Sequence, residues 1–273
     1  VALGSTTADF GIPGVKEFTL GMKSVHEALN IRAEIMRRFE DLCRFEDDTK
    51  FSISVIGGGP TGVEMAGAIA ELVRGPLKSD HARSAANIKV RIIEAGDRLL
   101  PTFSPSLSKR TKKDLEKLGV EVLVNSPVKL VEHRKVTVAD GLSLPSEITI
   151  WAAGVKGSDA MAQLNLPIAA NRIVVEPTLQ VKNYPNVWAL GDIAGALGKD
   201  GKPLPMVAPV AIQQGKFIAK QINRVSANKV LKNFKYLDKG SMATIGRNKA
   251  VVEVKGLKIA GPVAWLIWIA LHL

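Results

Sequence analysis

The chain has 273 residues, 46% hydrophobic and 23% charged, a balance that excludes a disordered protein and leaves room for two domains. Its single cysteine, Cys43, excludes an internal disulfide and any Cys-x-x-Cys redox pair in this sequence, and the scattered His26, His81, His133 and His272 have no metal-ligand spacing, so no metal is expected. The net charge is +11, and much of it lies late: from Ser226 onward seven Lys and one Arg stand against Asp238 and Glu253.

The opening run, VALGSTTADFGIPGV, reads as the end of a strand, with neither an initiator Met nor a signal-peptide layout; a fragment is expected. From Ser24 to Leu42, Val25, Leu29, Ile35, Phe39 and Leu42 recur at helical spacing and predict a long amphipathic helix that also holds Cys43. FSISVI is a buried strand running into a glycine loop, and residues 61–74 form a helix with small residues suited to close packing on a sheet. IKVRIIEA is a second strand. SPSLSKRTKKDLEKLG is a second helix, opened by Ser104 and Pro105, carrying Leu107, Leu115 and Leu118 on one face and closed by Gly119. VEVLVN, VKLVEHRKVTVADG and EITIWAAG supply further strands. Strand alternating with helix predicts an α/β fold with a parallel sheet. After Gly154 come two more strands in NRIVVEPTLQVKNYPNVWALGDIAG and a helix in APVAIQQGKFIAKQIN, with boundaries expected near residues 50, 155 and 226.

The loop after FSISVI reads Gly57-x-Gly59-x-x-Gly62. Its context carries the inference: a strand before, a helix after, and an acid, Glu94, closing the next strand. Glycines there allow a tight turn and close approach of backbone to a pyrophosphate, and the helix N-terminus favours negative charge. Glu94 is expected to accept ribose hydroxyls and to favour NADH over NADPH, although Lys89 and Arg91 nearby weaken that preference. The 37 residues from Gly57 to Glu94 exceed the usual ~20. The surplus, VRGPLKSDHARSAANIK, reads as a polar, turn-rich insertion. Glu64, two residues past the last glycine, has two readings: an acid complementing the first turn of a helix, or a group that acts at the bound cofactor.

The segments SVIGGGPTGVEMAGAIAEL, IIEAGDRLLPTFSPSLS, TIWAAGV and NVWALGDIAG, in this order, resemble the two-dinucleotide-domain flavoproteins. More narrowly, with the tail MATIGRNKAVVEVKG through AWLIWIALHL, they resemble type II NADH:quinone oxidoreductases, the single-subunit, non-proton-pumping respiratory dehydrogenases. The resemblance implies a Rossmann-like NADH-binding domain inserted in a split FAD-binding Rossmann-like domain, with FAD and NADH as cofactors. It implies a remnant of the FAD domain's first half and a connecting helix over 1–50, the NADH domain over 51–155, the FAD domain's return over 156–225, and a membrane-associating region over 226–273. Gly57, Gly59, Pro60, Thr61, Gly62, Glu94, Ala153 and Gly154 would meet NADH; Gly4, Gly191, Asp192 and Ala211 would meet FAD. Glu64 would be catalytic, on the nicotinamide and quinone side of the flavin. Gln213 and Gln214 would face the quinone, with Pro209 where the family often has a Gln. The FAD domain's own glycine loop would precede Val1, and the disulfide-reductase relatives are set aside for want of a Cys-x-x-Cys pair.

Basic residues beside GPVAWLIWIALHL, with its two tryptophans, suit peripheral contact with an anionic membrane surface, on a cytoplasmic or matrix-type face, and not nucleic acid. Thirteen residues are too few to span a bilayer, which needs about 20. A buried terminal segment is the bland alternative. A homodimer is the assembly carried forward. Two other functions stay open: an NAD-responsive interaction protein on the same scaffold without quinone turnover, and a soluble NADH-dependent reductase with another acceptor.

Overall fold

A computed structural model describes residues 1–44 and 50–272. The chain divides into two compact units. One comprises Val1–Ala8 with Val155–Lys239, and the other comprises Asp9–Gly154 with the chain from Gly240 on, so residues 9–154 interrupt the first unit.

The interrupting unit is built on a five-stranded, wholly parallel sheet, ordered Leu20–Gly21, Ile148–Trp151, Phe51–Ile56, Ile88–Ile93 and Val120–Leu123. All six residues of Phe51–Ile56 are buried, as expected for a central strand covered on both faces. Ile53 and Val55 share a core with Ile31, Ile35 and Phe39 of the helix Val25–Arg44, and with Val63 and Ala66 of the helix Pro60–Leu72. Ile56, Ile93 and Trp151 belong to a second core with Val15, Val131 and Val136.

The long helix follows the expected period, but Val25 and Leu29 are 79% and 54% exposed and Ile31 takes the inward place. Ser24 and Glu27 open it with a reciprocal cap: Glu27 N–H donates to Ser24 Oγ (3.2 Å), and Ser24 N–H to Glu27 Oε2 (2.7 Å). Residues 73–89, read as turn-rich, are largely helical: a π-helical turn Val73–Leu77, then Lys78–Asp80 and Ala82–Ala86. Val73, Leu77 and Ala85 bury their side chains in the main core, which holds this polar stretch in helical form. Lys89 and Arg91 are both engaged by Glu121, at 3.1 and 2.9 Å, and Arg91 is buried. The strands in 128–145 form a separate antiparallel sheet of Val128–Glu132, Lys135–Val138 and Ser143–Pro145.

The stretch 226–273, treated above as one region, divides at Lys239 and Gly240. Its later part is an antiparallel meander, Ser241–Gly246, Lys249–Val254 and Leu257–Ala260, followed by the helix Pro262–His272. Ala264 of that helix is buried against Ala250 and Val252, with Trp265 and Ile267 packed beside them, while Val263, Leu266 and Leu271 are exposed. Among the described residues no helix is long and apolar enough to cross a membrane. The edge strand Ser241–Gly246 lies along the helix Pro60–Leu72, which covers an edge that would otherwise be open. The approach is so close that a Cβ at Gly67 would overlap the Ile245 carbonyl.

The first unit has short antiparallel pairs, Ser5–Thr7 with Val155–Gly157, Ile168–Ala169 with Arg172–Ile173, and Gln180–Val181 with Tyr184–Trp188. Leu190 N–H donates to the Val1 carbonyl (3.0 Å), so the opening segment runs beside the end of Tyr184–Trp188. The helix Ala208–Ser226 follows, burying Val210, Gln214, Ile218 and Gln221.

Gly67→Ala decides between two effects of opposite sign. Helix propensity favours Ala by about 1 kcal/mol, whereas overpacking costs about 1–3 kcal/mol, and here the obstacle is backbone. A net loss is expected as a lower urea midpoint, while Gly75→Ala, with open space at its Cβ, is expected to hold or raise it.

Candidate functional site

The glycine loop leaves the carboxyl end of Phe51–Ile56, flanked by Ile148–Trp151 on one side and Ile88–Ile93 on the other. Gly57 has φ 110°, and a Cβ there would lie 2.6–2.7 Å from the Ala152 and Ala153 backbone. Gly62 is held as tightly, with its Cβ position overlapping the Gly57 carbonyl. Gly59 differs: nothing lies within 4 Å of its Cβ position, and it caps the helix Pro60–Leu72 with no side chain in the cap. The inner glycines fix the turn and the outer one leaves an open cradle at a helix N-terminus, the form that suits a phosphate. Pro60 opens the helix where its missing N–H costs nothing.

Glu94 does more than the sequence reading gives it. Its Oε2 accepts the Gly58 N–H in a short hydrogen bond, and its Oε1 accepts the Gly96 N–H (2.6 Å). The Gly58 carbonyl accepts from Leu100 N–H (2.7 Å). The middle glycine of the GGG run, unassigned above, is therefore tied at both ends of its backbone, and the acid is part of the loop's frame. Each carboxylate oxygen has two lone pairs, so an N–H at each leaves acceptor capacity for hydroxyls. The structure brings Gly57, Gly59, Gly62, Glu94 and Ala153 together, with Gly154 next in chain at φ 146° and Thr61 exposed at the mouth.

Glu64 is the fifth residue of its helix, because the helix begins at Pro60; it lies beyond the first turn. The dipole reading of this acid is corrected accordingly. Its Oε1 accepts Thr244 N–H (3.1 Å) from the edge strand. Seven residues on, Glu71 Oε1 accepts Arg247 N–H (2.5 Å). Glu64, Gly67 and Glu71 share a helix face that meets the edge strand with two carboxylates and a gap. The 3.5-residue spacing of these three was visible in the sequence, but their partner lies about 180 residues away.

In the first unit, Gly191 takes φ 75° and Asp192 follows it. Ser5 Oγ donates to Asp192 Oδ2 (2.6 Å), a partner the sequence reading missed although Ser5 adjoins Gly4. Partial burial pushes the Arg172 guanidinium below its usual range, and the Asp192 charge pulls against that, which places a half-buried cation near this acid. Arg172 Nη1 also donates to the Leu204 carbonyl (2.6 Å). Ala211 Cβ lies 3.4 Å from the Cβ position of Gly191, and Gly4 has φ 68° with open space around it.

The two glutamines part ways. Gln213 uses both amide atoms on one residue: Nε2 donates to the Leu237 carbonyl (2.9 Å) and Oε1 accepts Leu237 N–H (3.0 Å). Gln214 is fully buried, and its Oε1 accepts the Gly191 N–H (2.6 Å). Its Nε2 is one of four buried side-chain atoms left without a hydrogen-bond partner among the described residues, with Thr6 Oγ1, Ser54 Oγ and Arg98 Nε. Among the described residues no group of three or more His, Cys, Asp or Glu could hold a metal.

Residues 1–215 match the family model described as pyridine nucleotide-disulphide oxidoreductase, and the chain belongs to that family. The type II NADH:quinone oxidoreductase Ndh of Mycobacterium tuberculosis is 37% identical over the whole of this chain, which covers 62% of that protein. The type II NADH:quinone oxidoreductase of Staphylococcus aureus is 32% identical over 96% of this chain, covering 66% of that protein. The chain thus spans about three fifths to two thirds of the curated relatives it matches. Among solved structures, NDH2 from Plasmodium falciparum in complex with NADH superposes with a TM-score of 0.90 at 22% identity, over all of this chain and 73% of that one; this is a likeness of fold.

Glu64→Ala strips the Thr244 N–H of its acceptor and is expected to lower stability by about 1–2 kcal/mol. Glu64→Gln keeps an amide oxygen there and is expected to lose less. Paired urea titrations read the difference; equal losses would show that the charge, and not the acceptor, docks the strand.

Proposed function

We propose that this chain is the dinucleotide-binding portion of a type II NADH:quinone oxidoreductase, an FAD-dependent enzyme that oxidises NADH and reduces a membrane quinone without pumping protons. The observation that carries the reading is the glycine loop locked by Glu94 at the carboxyl edge of a parallel sheet. Family membership and the 37% identical relative support it.

The residues fit both cofactors. The open cradle at Gly59 and the uncapped helix start suit the NADH pyrophosphate, with Gly57, Pro60, Thr61 and Gly62 shaping it. Glu94 would accept ribose hydroxyls with its remaining lone pairs. It would repel a 2′-phosphate, and Lys89 and Arg91 do little to offset this because Glu121 engages them. Ala153 and Gly154 would line the same crevice. The positive φ of Gly191 and the Ser5–Asp192 bond suit FAD, with Gly4 and Ala211 alongside. When bound, the nicotinamide supplies a hydride and the flavin supplies the acceptor that can pass electrons to a quinone.

The protein's own part is to bind and orient. The unit from Asp9 to Gly154, with the C-terminal meander, is the proposed NADH domain; Val1–Ala8 with Val155–Lys239 is the proposed portion of the FAD domain. Glu64 is proposed to act on the nicotinamide side while its Oε1 holds Thr244. For the quinone, Gln213 is proposed to position the Leu237 segment and Gln214 to act through Gly191. Exposed Val263, Leu266 and Leu271, following Lys255 and Lys258 in sequence, are proposed to rest on an anionic membrane surface. A homodimer is retained as the proposed assembly.

The full-length protein is expected to be yellow, bleached by NADH and restored by a quinone; a folded chain without measurable NADH affinity in a titration would overturn the reading. Glu64→Gln is expected to slow turnover about tenfold or more with FAD content unchanged. Wild-type flavin reduction and quinone turnover in that variant would leave Glu64 a docking residue alone. Glu94→Gln removes the repelling charge but sets its amide nitrogen against the Gly58 or Gly96 N–H, so affinity for both cofactors is expected to fall while the ratio of NADH to NADPH affinity narrows about tenfold; an unchanged ratio removes Glu94 from the ribose.

A further inference from the structure

We propose that Phe10 is a substrate-binding residue: its exposed ring, held beside Gly154, packs against the nicotinamide ring of a dinucleotide bound on the glycine loop. This rests on the reading that the loop binds NADH, and it goes further by giving the nicotinamide end a wall.

Position in the sheet says which end of the ligand Phe10 meets. Glu94 follows Ile88–Ile93, the glycine loop leaves the neighbouring Phe51–Ile56, and Ile148–Trp151 is the next strand on the other side. With the adenosine ribose at Glu94 and the pyrophosphate at Gly59, the remaining half of the dinucleotide runs toward the end of Ile148–Trp151. The residues after that strand are tied to the loop. Ala152 N–H donates to the Ile56 carbonyl (2.8 Å), and the Gly57 Cβ position lies 2.6 Å from Ala153 Cα. Gly154 follows, and the edge of the Phe10 ring stands 3.0–3.5 Å from its Cβ position.

Its own preferences would place Phe10 elsewhere. It is 65% exposed, more than any other phenylalanine among the described residues. Its φ of 52° makes it the one aromatic among them in the left-handed region. Both features cost free energy, because a bulky side chain resists that conformation and an apolar ring resists water. The turn that imposes them is well anchored. Asp9 Oδ1 accepts Gly11 N–H (3.1 Å), the Asp9 carbonyl accepts Ile12 N–H (3.0 Å), and Lys16 pairs with Asp9 Oδ2 (3.2 Å). Ile12 packs, as Ala153 does, on the core that holds Trp151. A strained residue that its surroundings over-determine points to function. An aromatic face at this place suits a planar ring, and suits it more when the nicotinamide is oxidised and positively charged.

The test uses the full-length protein with its flavin oxidised, so that no hydride moves. It compares NAD⁺ with ADP-ribose, which keeps the adenosine and pyrophosphate and lacks the nicotinamide; isothermal titration calorimetry reads both. Phe10→Ala is expected to weaken NAD⁺ binding about fivefold or more and to leave ADP-ribose within about twofold of wild type. Phe10→Tyr is expected to bind both as wild type does. Unchanged NAD⁺ affinity in Phe10→Ala overturns the proposal. An equal loss for the two ligands overturns it as well, because Phe10 would then only shape the turn. If Phe10→Ala fails to fold by circular dichroism, Phe10→Leu, apolar and without a π face, decides by the same split. Wild-type protein that binds neither ligand defeats the parent reading instead, and the two failures are thereby separate.

Discussion

The helix Pro60–Leu72 has to bring its backbone against other backbone at two places, and much of the interrupting unit follows from that. At its start Gly62 meets the Gly57 carbonyl, and this closes the loop beneath the open Gly59. At mid-length Gly67 meets the Ile245 carbonyl, and this seats the edge strand of the C-terminal meander. Side chains at either place would push the partners apart by more than packing tolerates. Between them, Val63, Ala66, Ile69 and Ala70 fill the core below. One helix therefore leaves open space at its N-terminal Gly59 and carries the last part of the chain on its flank.

Carboxylates complete these seams. Glu94 holds Gly58 and Gly96, Glu64 holds Thr244, and Glu71 holds Arg247. Glu147 accepts Ser52 N–H (2.6 Å) and Glu253 accepts Ser104 N–H (2.7 Å), a strand and a helix start far away in sequence. A backbone N–H bonded to an ionised acceptor makes one of the stronger hydrogen bonds available to a protein. With 26 acidic and 37 basic residues, the chain still carries a net charge of +11. Such a charge favours the approach of dinucleotides and anionic surfaces alike.

The first unit uses an amide where the other uses acids. Gln214 reaches from a helix to the Gly191 N–H, and Ser5 reaches from the opening strand to Asp192. Residues near the two ends of the unit thus converge on one turn, although 187 positions separate Ser5 from Asp192. That convergence is why an interrupting domain of about 146 residues, Asp9–Gly154, leaves the site around Asp192 assembled.

The sequence alone determined what local chemistry dictates. Gly57-x-Gly59-x-x-Gly62 after an apolar strand required a tight turn and a helix start, and the run FSISVI required a buried strand. Glu94 was legible because a strand's end is fixed by its own hydrophobic pattern. Tertiary structure alone decided which atoms those residues meet. The polar run 73–89 became helical because Val73, Leu77 and Ala85 found a core, which no local propensity records. Glu64 acquired Thr244, and Gln214 acquired Gly191, through approaches between segments distant in the chain. A side chain's periodicity tells which face it occupies; only the folded chain sets the donor or acceptor opposite it, because that partner arrives from elsewhere in sequence.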